Sequence, residues 1–478
     1  MSYIIGIDAG TTSVRSCIYN VETGGFTIAK QKTVEQYYPK PNWVEEDAEE
    51  IYQSVLLCLN EAEDRLKGET VVGVSLTNMR ETVVCWNAKT GKPLYNAIIW
   101  QCRRTQEFCD SLSAETKQLI YDKTGLVVDA YFSASKIKYL IDNVKEVKEA
   151  ISLGELRVGT IDSYLIYRLT GGKSYVTDIT NASRTMLYNI HTLAYDEQLF
   201  EIFNIPFGIM PKVLDNDSIF GETQINGVNV PIAGVIGDQQ SSLVGQGCFN
   251  LGSAKVTYGT GLFMLFNTGD KICRSNNGII STVAYRLGGK VCYALEGSVF
   301  NAGTAIQLLR DNFGLIVNAN ESEVLANSVK DSNGVSFVPA FTGLGAPHWK
   351  SDASGIITGL TRGSTKAHVI RAALEAMAFA ARELFEIMQA ESGVKLGFVK
   401  ADGGASANGF LMKKQAGELQ VPIIVSEAEA TVLGSIKMCL MALGLNDNRK
   451  EVEKRFLPEA QDNVGYQNWK KAVERCLL

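Results

Sequence analysis

The chain lacks the features that mark membrane proteins and nucleic-acid-binding proteins. No apolar run reaches the roughly 18 residues of a membrane helix, and the first strand pattern begins after two residues, which leaves no room for a signal peptide. Charged residues make up 21% of the sequence, the net charge is −6, and no long block of basic residues occurs. This balance disfavours nucleic acid and anionic membrane surfaces as partners. We therefore expect a cytoplasmic protein.

Paired cysteines and clustered histidines are also missing. The ten cysteines are spread from Cys17 to Cys476 without a Cys-x-x-Cys pair, and they lie mostly in apolar runs. This pattern predicts buried, reduced thiols rather than disulfides. The three histidines are too scattered along the sequence to form an obvious metal cluster, so a structural or surface role is the default for each of them.

The Walker pattern of nucleotide-binding loops is absent. Gly171-Gly172-Lys173-Ser174 matches its final residues, but the first glycine of the pattern would have to stand at the position of Tyr167. Any nucleotide site in this chain must therefore be built from other loops.

A strand-turn-strand pattern occurs once in each half of the chain. Between Ile4 and Tyr19, β-branched residues lead into the lone acid Asp8 and then into a turn of glycine and hydroxyl residues. The stretch from Lys255 to Phe266 repeats this pattern around Gly259-Thr260-Gly261. With 478 residues, the chain is also too long for a single hydrophobic core. Together these features predict two similar α/β lobes of roughly 200 to 250 residues each.

Polar residues follow two of the predicted buried strands, at the strand ends where open α/β sheets usually bind ligands. Arg80 and Glu81 come after the strand at Val71 to Leu76, and Asp238 comes after a strand that ends near Ile236. Arginine offers a forked donor and glutamate an acceptor, so this pair is a candidate for holding a substrate. The alternatives are a surface ion pair for Arg80 and Glu81, and a helix cap for Asp238. A cleft between duplicated lobes would need an acid such as Asp238 at its floor.

The spacing of apolar residues predicts several helices. We expect them at Asp47 to Leu66, at Gln101 to Leu112, at Ser133 to Val147, and from near Ser298 through Gly303 and Gln307. Because glycine in a helix costs about 1 kcal/mol relative to alanine, Gly303 indicates a closely packed neighbour. The loop from Asp402 to Asn408 precedes a further helix and exposes several backbone N–H groups, which suits anions and nucleotides. An ordinary glycine-rich turn is the alternative for this loop.

Eight short stretches follow one another along nearly the whole chain: Asp8 to Arg15, Asn78 to Glu81, Trp100 to Arg104, Asn181 to Leu187, Gly237 to Gln240, Tyr258 to Gly261, Pro339 to Pro347 and Asp402 to Asn408. In this order they resemble the glycerol kinases, a branch of the FGGY-type sugar and polyol kinases that share the actin and hexokinase ATPase fold. The Gly-Thr turns mark the fold, and the Gly-Asp-Gln segment marks the kinase family. The Asn-x-Arg-Glu and Trp-Gln-Cys-Arg-Arg stretches point to glycerol.

The resemblance implies an α/β fold of two ribonuclease-H-like domains with an interdomain cleft. Residues 1–241 would form the domain with the polyol site and the catalytic base, and residues 242–478 the domain that binds ATP. The implied reaction is the ATP-dependent phosphorylation of glycerol to sn-glycerol 3-phosphate, with Asp238 as general base and with Mg2+ oriented by Asp8 and Asp238. A homo-oligomer, either a dimer or a tetramer, is also expected.

The resemblance assigns individual residues to the two substrates. The residues implied for glycerol are Arg80, Glu81, Trp100, Tyr131, Asp238, Gln239 and Phe263. The residues implied for ATP are Thr11, Thr12, Ser13, Arg15, Thr260, Gly303, Gln307, Gly404, Ala405 and Asn408. These residue types fit the chemistry, because a triol offers three donors and three acceptors, and a site that pairs each of them rejects analogues that lack one.

Some positions depart from the pattern of the resembling proteins. Ala9 and Met79 each stand in place of a glutamine, and Ala130 stands in place of a proline. These differences leave the substrate preference within the family open. Between Gly221 and Pro231 the chain also lacks the Gly-Thr-Arg loop through which some relatives bind fructose 1,6-bisphosphate.

Two other functions remain as alternatives. A kinase of the same family that acts on another small polyol or ketose should differ at Arg80, at Glu81 and at the aromatic residues around them. A non-catalytic ATP-binding module of the actin or chaperone type would keep the two hairpins but would not need an acid such as Asp238 facing a small-molecule pocket.

Overall fold

The computed structural model describes residues 1–426 and 429–478, which form two compact units. The first unit comprises Met1–Gly247, Thr282–Tyr293 and Glu429–Lys450. The second unit comprises Cys248–Ser281, Ala294–Ala428 and Glu451–Leu478. Within the described part of the chain, no helix is both long enough and apolar enough to cross a membrane. Each of the ten cysteines is a free thiol, and nine of the ten are buried.

The first 247 residues contain fifteen strands and nine helices, as far as the described residues extend. The strands are β1 (Ser2–Ala9), β2 (Ser13–Asn20), β3 (Phe26–Thr33), β4 (Gln36–Tyr37), β5 (Glu45–Glu46), β6 (Thr70–Asn78), β7 (Val83–Asn87), β8 (Ala97–Ile98), β9 (Leu156–Thr160), β10 (Val176–Asp178), β11 (Tyr188–Asn189), β12 (Ala194–Tyr195), β13 (Lys212–Leu214), β14 (Ile219–Ile225) and β15 (Val228–Gly237). The helices are α1 (Ala48–Arg65), α2 (Gln106–Ser111), α3 (Ala114–Thr124), α4 (Ser133–Asn143), α5 (Lys145–Ser152), α6 (Ile161–Leu169), α7 (Ile179–Ala182), α8 (Glu197–Phe203) and α9 (Asp238–Gly245).

The remaining described residues continue the same mixture of strands and helices. The strands are β16 (Ser253–Tyr258), β17 (Leu262–Gly269), β18 (Ile280–Leu287), β19 (Lys290–Val299), β20 (Ser336–Val338), β21 (Ile356–Thr358), β22 (Phe398–Asp402), β23 (Ile423–Ser426) and β24 (Glu453–Phe456). The helices are α10 (Gly303–Gln307), α11 (Glu321–Asn327), α12 (Lys366–Ser392), α13 (Gly409–Leu419), α14 (Ala430–Ala442) and α15 (Asn463–Leu477). A π-helical turn covers Leu308–Asn312, and a 3-10 turn covers Gly404–Ala407.

The main sheet of the first unit has the strand order β14-β15-β6-β1-β2-β3. Strands β1, β6 and β15 run parallel, whereas β2, β3 and β14 pair antiparallel with their neighbours. The last residues of the three parallel strands are in register, because Ala9 and Gly237 both pair with Asn78. Since the carboxyl ends of parallel strands meet at one edge, this sheet brings the residues that follow each strand together.

The second unit repeats this arrangement. Strand β16 pairs antiparallel with β17 and parallel with β22, β22 pairs parallel with β23, and β23 pairs antiparallel with β24. The order β17-β16-β22-β23-β24 therefore corresponds to β2-β1-β6-β15-β14 of the first unit. The predicted α/β class with two ribonuclease-H-like folds is confirmed, and both predicted hairpins are present.

Helices cover the two faces of the first sheet, as the alternation of side chains in β1 requires. Ile5 and Ile7 belong to the same core as Ile51 and Val55 of α1. Gly6 points to the opposite face, where a Cβ atom would lie 2.8 Å from Val432 of α14. The segment that carries α14 follows α13 in sequence, yet it completes the core of the first unit.

Two glycines allow the backbone of α14 to approach its neighbours closely. A Cβ atom on Gly434 would lie 1.8 Å from the carbonyl oxygen of Ser241 in α9. A Cβ atom on Gly234 in β15 would lie 2.3 Å from the amide nitrogen of Cys439 in α14, and Gly234 also has a positive φ of 74°. Helix α9 begins with Asp238, so this packing fixes the element that presents a candidate site residue.

Three predicted helix boundaries are wrong. The helix predicted at Gln101 to Leu112 begins at Gln106, and the helix predicted at Ser133 to Val147 is interrupted at Val144. Strand β19 continues to Val299, so the helix expected from Ser298 begins at Gly303. In the first of these segments Arg103 and Arg104 pair with Asp129 and Glu45, and these tertiary contacts outweigh the local helical pattern. The predicted helix after Asp47 is confirmed, and the side chain of Asp47 caps it by accepting a bond from Glu49 N at 2.8 Å.

Replacing Gly434 with alanine is expected to lower the thermal midpoint of the protein by several degrees. The added methyl group would overlap the Ser241 carbonyl, and overpacking of this kind typically costs roughly 1–3 kcal/mol. Scanning calorimetry would measure the shift. The matched control is Gly397→Ala, because a Cβ atom at Gly397 would meet nothing within 4 Å. Equal midpoints for the two variants would contradict the close packing of α14 against α9.

Candidate active site

Arg80 lies at the centre of a buried polar cluster in the first unit. It follows β6, and only 2% of the residue is exposed. Its Nη1 donates to Gln240 Oε1 at 3.0 Å, its Nη2 donates to the hydroxyl of Tyr131 at 3.4 Å, and its Nε lies 3.4 Å from Asp238 Oδ1. One planar guanidinium therefore contacts residues from two separate parts of the chain and fixes their spacing. Burial of Arg80 and Glu81 excludes the surface ion pair considered above.

Glu81 has an unusual backbone conformation that its neighbours maintain. Its φ is 59°, a left-handed value that is uncommon for residues other than glycine. Its carboxylate accepts a bond from Arg184 Nε at 2.5 Å, and its carbonyl accepts bonds from Ser133 Oγ at 3.2 Å and Lys136 Nζ at 3.1 Å. Strained conformations of this kind persist where the surrounding structure fixes them, and they are common in functional sites.

Asp238 presents a partly accessible carboxylate at the start of α9. Its side chain is 25% exposed, and its Oδ1 accepts a bond from Gln239 N at 2.7 Å. The same oxygen lies beside Arg80 Nε, so the carboxylate has a fixed orientation. Gly237 gives Arg80 the space it needs, because a Cβ atom there would lie 2.8 Å from Arg80 Cγ. Gln239 is half-buried next to Asp238.

Two aromatic side chains form a wall beside this cluster. The rings of Trp100 and Tyr131 pack edge to face, with centroids 5.8 Å apart and planes at 89°. The indole Nε1 of Trp100 donates to Thr11 Oγ1 at 2.9 Å. The hydroxyl of Thr11 accepts this bond and can still donate one of its own. The aromatic wall is therefore connected to the turn of the first hairpin.

The first hairpin contributes a second group of charges. Asp8 and Arg15 are paired across β1 and β2, and Arg15 Nη1 lies 2.5 Å from Glu429 Oε2. Burial raises the pKa of Asp8 to about 7, an effect opposed by Arg15 and reinforced by the negative charges of Asp238 and Glu429. Asp8 is thus close enough to Asp238 and Glu429 to be affected by their charges. A cation beside Asp8 would reduce the repulsion among these carboxylates.

The turn of this hairpin also carries Thr12 and Ser13. Gly10 N donates to Ser13 O at 3.1 Å and closes the turn. The side chain of Gln31 donates to Ser13 Oγ at 3.1 Å, whereas Thr12 is exposed. The turn therefore presents hydroxyl groups next to Asp8, and Gly10 avoids a side chain where Asp8 and the backbone lie close.

A buried hydrogen-bond network links the two loops that carry Arg80 and Asp238. The side chains of Asn78 and Asn181 exchange two hydrogen bonds, at 3.0 and 2.9 Å. Thr180 Oγ1 accepts a bond from Gly237 N at 2.8 Å and donates to Asp178. Asp178 also accepts a bond from Asn181 Nδ2 at 2.5 Å. Because α7 bonds to both loops, it fixes their separation.

Arg184 and Lys136 were not among the residues predicted for the site. Arg184 is completely buried and binds the Glu81 carboxylate, and its guanidinium lies 5.1 Å from the ring centroid of Phe132. Lys136 is also completely buried. Arg184 occurs within one of the quoted sequence stretches, but its partner is 103 residues away, and nothing in the local sequence indicates that pairing.

The candidate nucleotide residues of the second unit come together around the second hairpin. Gly303 N donates to Gly259 O at 3.1 Å, and Ala302 N donates to Thr260 O at 2.9 Å. A Cβ atom on Gly303 would lie 2.5 Å from Gly259 O, which confirms that the predicted close neighbour exists. Thr260 is exposed in the turn of this hairpin.

The glycine-rich loop before α13 packs against the same hairpin. Gly403 has a φ of 84°, and a Cβ atom there would lie 2.5 Å from Tyr258 O at the end of β16. Gly404 is exposed and has open space around its α-carbon, and Ala405 is half-buried. The side chain of Asn408 caps α13 by accepting a bond from Leu411 N at 3.0 Å, and it donates to Ser322 Oγ at 3.1 Å.

Two further predicted residues lie elsewhere in the second unit. Gln307 is exposed at the end of α10, on the helix that Gly303 begins. Phe263 is half-buried on β17, opposite Thr257 of β16. The second unit therefore gathers Thr260, Gly303 and the Gly403 loop, while Phe263 belongs to the neighbouring strand.

Replacing Arg184 with methionine is expected to lower the free energy of unfolding by about 3 kcal/mol or more, because Glu81 would lose the closest partner of a buried charge. Urea titration followed by circular dichroism would measure the loss. The double variant Arg184→Met with Glu81→Gln should recover part of it, since the uncompensated charge is then removed. Lys67→Met is the control, because Lys67 and its partner Asp64 are 73% and 67% exposed. A loss as small as that of the control would contradict the buried pair.

Comparison with known proteins identifies the family. Residues 3–245 match the model of the N-terminal domain of the FGGY family of carbohydrate kinases, and residues 254–443 match that of the C-terminal domain. Among curated proteins, a glycerol kinase of Bacillus mycoides is 46% identical, with 99% of this chain and 98% of the relative covered. A glycerol kinase of Caldanaerobacter subterraneus is 48% identical over the same shares of both chains.

Solved structures agree with this result. The structure of Plasmodium falciparum glycerol kinase with ADP is 37% identical, covers 100% of this chain and 99% of its own, and has a TM-score of 0.91. A xylulose kinase from Lactobacillus acidophilus has a TM-score of 0.85 at 22% identity, with 100% of this chain and 97% of the other covered, which supports the fold. The chain belongs to the FGGY family of carbohydrate kinases.

Proposed function

We propose that this kinase transfers the γ-phosphoryl group of ATP to glycerol and forms sn-glycerol 3-phosphate. The observation that carries the proposal is the buried cluster around Arg80, in which Tyr131, Asp238 and Glu81 are held close to one guanidinium. The relatives named glycerol kinase, at 46% and 48% identity over nearly their full length, support the same acceptor.

The cluster has the donors and acceptors that a small triol requires. Arg80 and Tyr131 offer hydrogen-bond donors, whereas Glu81 and Asp238 offer carboxylate oxygens. We assign the hydroxyl groups of glycerol to these four residues and to Gln239. Trp100 would contact the carbon atoms of glycerol, as would Phe263 of the second unit. Such pairing selects against analogues that lack a hydroxyl group, because a buried polar group would then remain unpaired.

Asp238 is the proposed general base. A primary hydroxyl group is a poor nucleophile near neutral pH, so its proton must be accepted as the oxygen attacks the γ-phosphorus in line. The carboxylate of Asp238 is partly exposed, and its orientation is fixed by Gln239 N and Arg80 Nε. It can therefore meet a hydroxyl group held by the same cluster.

The carboxylates of Asp8 and Asp238 would hold Mg2+. The residues fit this ion, because hard oxygen ligands suit Mg2+ and because burial, reinforced by the charge of Asp238, raises the pKa of Asp8 to about 7. Among the described residues, no group of three or more His, Cys, Asp or Glu side chains is arranged to hold a metal. Two carboxylates suffice, since Mg2+ usually keeps several waters and binds substrate phosphates. When bound, the ion neutralises charge on the β- and γ-phosphates.

ATP would be bound by backbone and hydroxyl groups of both hairpins. We assign its phosphates to Thr11, Thr12, Ser13 and Arg15 in the first unit and to Thr260 in the second. The nucleoside is assigned to Gly303, Gln307, Gly404, Ala405 and Asn408. Exposed Gly404 supports this assignment, because the lack of a side chain leaves the backbone accessible.

We further propose that the enzyme acts in the cytoplasm. Its ten cysteines are free thiols, and thiols remain reduced in that compartment. The expected homo-oligomer, a dimer or a tetramer, stays a prediction.

A coupled assay of ADP release tests the proposed substrate. The purified enzyme would be given ATP with glycerol, erythritol, xylulose, gluconate or no acceptor. We expect glycerol to give the highest kcat/KM and the rate without acceptor to be the lowest. ATP turnover that glycerol does not stimulate would overturn the proposal, and a higher kcat/KM for xylulose or gluconate would assign the enzyme to another acceptor.

Replacing Asp238 with asparagine is expected to lower kcat by roughly 10²-fold or more, because the amide cannot accept the proton of the attacking hydroxyl group. Steady-state kinetics with saturating glycerol would measure the change. Circular dichroism and the thermal midpoint should remain close to those of the unmodified protein, because Asp238 is partly exposed and buried Arg80 keeps Glu81, Gln240 and Tyr131 as partners. Near-normal turnover of this variant would contradict the role of Asp238 as general base.

A further inference from the structure

Lys136 is a completely buried lysine in the first unit. It lies on α4, and its relative exposure is 0%. Lysine is almost never fully buried unless it is paired, because transferring an ammonium group from water into the interior is costly. A lysine in this position therefore requires an explanation, and none of the roles assigned above uses it.

The partners of Lys136 are two backbone carbonyl groups. Its Nζ donates to Glu81 O at 3.1 Å and to Tyr131 O at 2.5 Å. These carbonyls belong to two residues that are separated by 50 positions in sequence and that both carry side chains assigned to the acceptor. One ammonium group thus joins two main-chain segments that each carry a residue of the candidate acceptor site.

Both segments need such a connection. Glu81 has its left-handed φ of 59°, a conformation that is retained only when neighbours fix it. Tyr131 precedes the N-terminus of α4, where its own N–H donates to Asp129 Oδ1 at 2.8 Å. Without Lys136, the carbonyl of Glu81 would keep Ser133 Oγ, at 3.2 Å, as its one side-chain donor among the described residues.

On the basis of the proposed function, we propose that Lys136 is a positioning residue for the acceptor. By binding the carbonyls of Glu81 and Tyr131, it sets the distance between the two side chains that pair with the acceptor's hydroxyl groups. It does not touch the acceptor itself. Its effect should therefore appear in the binding and selection of the acceptor, and not in the binding of ATP.

The electrostatics of Lys136 argue against a role in stabilising the fold. Burial lowers its pKa to about 8, an effect opposed by Glu81, Cys102 and Asp129 and reinforced by Arg103. Between pH 8 and the ordinary lysine pKa of 10.5, the unfolded chain binds more protons than the folded chain. The contribution of Lys136 to the free energy of unfolding therefore rises with pH across that window. Below pH 8 the folded protein must bury the charged form of Lys136, which is unfavourable.

The test compares Lys136→Met with Lys138→Met. Lys138 lies on the same helix, is 22% exposed in its side chain, and forms an ion pair with Asp142 at 2.7 Å. For Lys136→Met we expect the KM for glycerol to rise about tenfold or more, with the KM for ATP and the kcat changed by less than about threefold. Lys138→Met should leave all three values unchanged.

Two further measurements separate positioning from general packing. The ratio of kcat/KM for glycerol to that for 1,3-propanediol should fall in Lys136→Met. The displaced side chains of Glu81 and Tyr131 would no longer form the hydrogen bonds that favour an acceptor with a middle hydroxyl group. The thermal midpoint should change by only a few degrees. Lys136→Arg retains the charge and the donors, so it should keep more of the selectivity than Lys136→Met does.

The outcomes are distinct. If the unmodified enzyme does not phosphorylate glycerol, the proposed function fails, whereas normal glycerol kinetics in Lys136→Met would overturn only the role of Lys136. Parallel increases in the KM for glycerol and for ATP would also overturn it, because they would indicate a general disturbance. If Lys136→Met does not fold, Lys136→Gln replaces it, and an unchanged glycerol selectivity in that variant counts against the inference.

Discussion

The candidate acceptor site depends on the pairing of charges that are buried at the ends of β6 and β15. Arg80, Glu81 and Arg184 are each at most 2% exposed, and each would be costly to bury alone. The guanidinium of Arg80 lies beside Asp238, and that of Arg184 binds Glu81. The register of the parallel strands brings the ends of β6 and β15 to one edge of the sheet, where Arg80 and Asp238 meet. Fold and charge arrangement are therefore linked.

The two units use the same hairpin for different purposes. In the first unit, the turn after β1 carries hydroxyl side chains beside Asp8, and a charged pair crosses the strands. In the second unit, Gly259 and Gly303 bring bare backbone segments into close contact. One supersecondary structure thus supplies charged side chains in one half of the chain and accessible main-chain groups in the other. This difference comes from the residues in and around each turn, because the order of the corresponding strands is the same in both units.

Sequence patterns predicted most strands and helices and the polar residues that follow the strands. They could do so because β-branched runs and glycine-containing turns are signals that lie within a short stretch of sequence. They did not reveal Arg184 or Lys136, since each acts on a residue more than 50 positions away. They also extended a helix over Arg103 and Arg104, which instead pair with Asp129 and Glu45. Tertiary partners of this kind override local helix propensity, and a single sequence does not show which partner each charge will have.

The position of α14 has a consequence for how the chain acquires its fold. The face of the first sheet at Gly6 is covered by Val432 and Ile436, residues that are synthesised long after strand β1. During translation this apolar face therefore remains uncovered until almost the entire second unit has left the ribosome. A fragment that ends at residue 247 would lack this cover and would expose an apolar surface prone to association. The first unit is compact in space, but its last segment, Glu429–Lys450, follows most of the second unit in sequence.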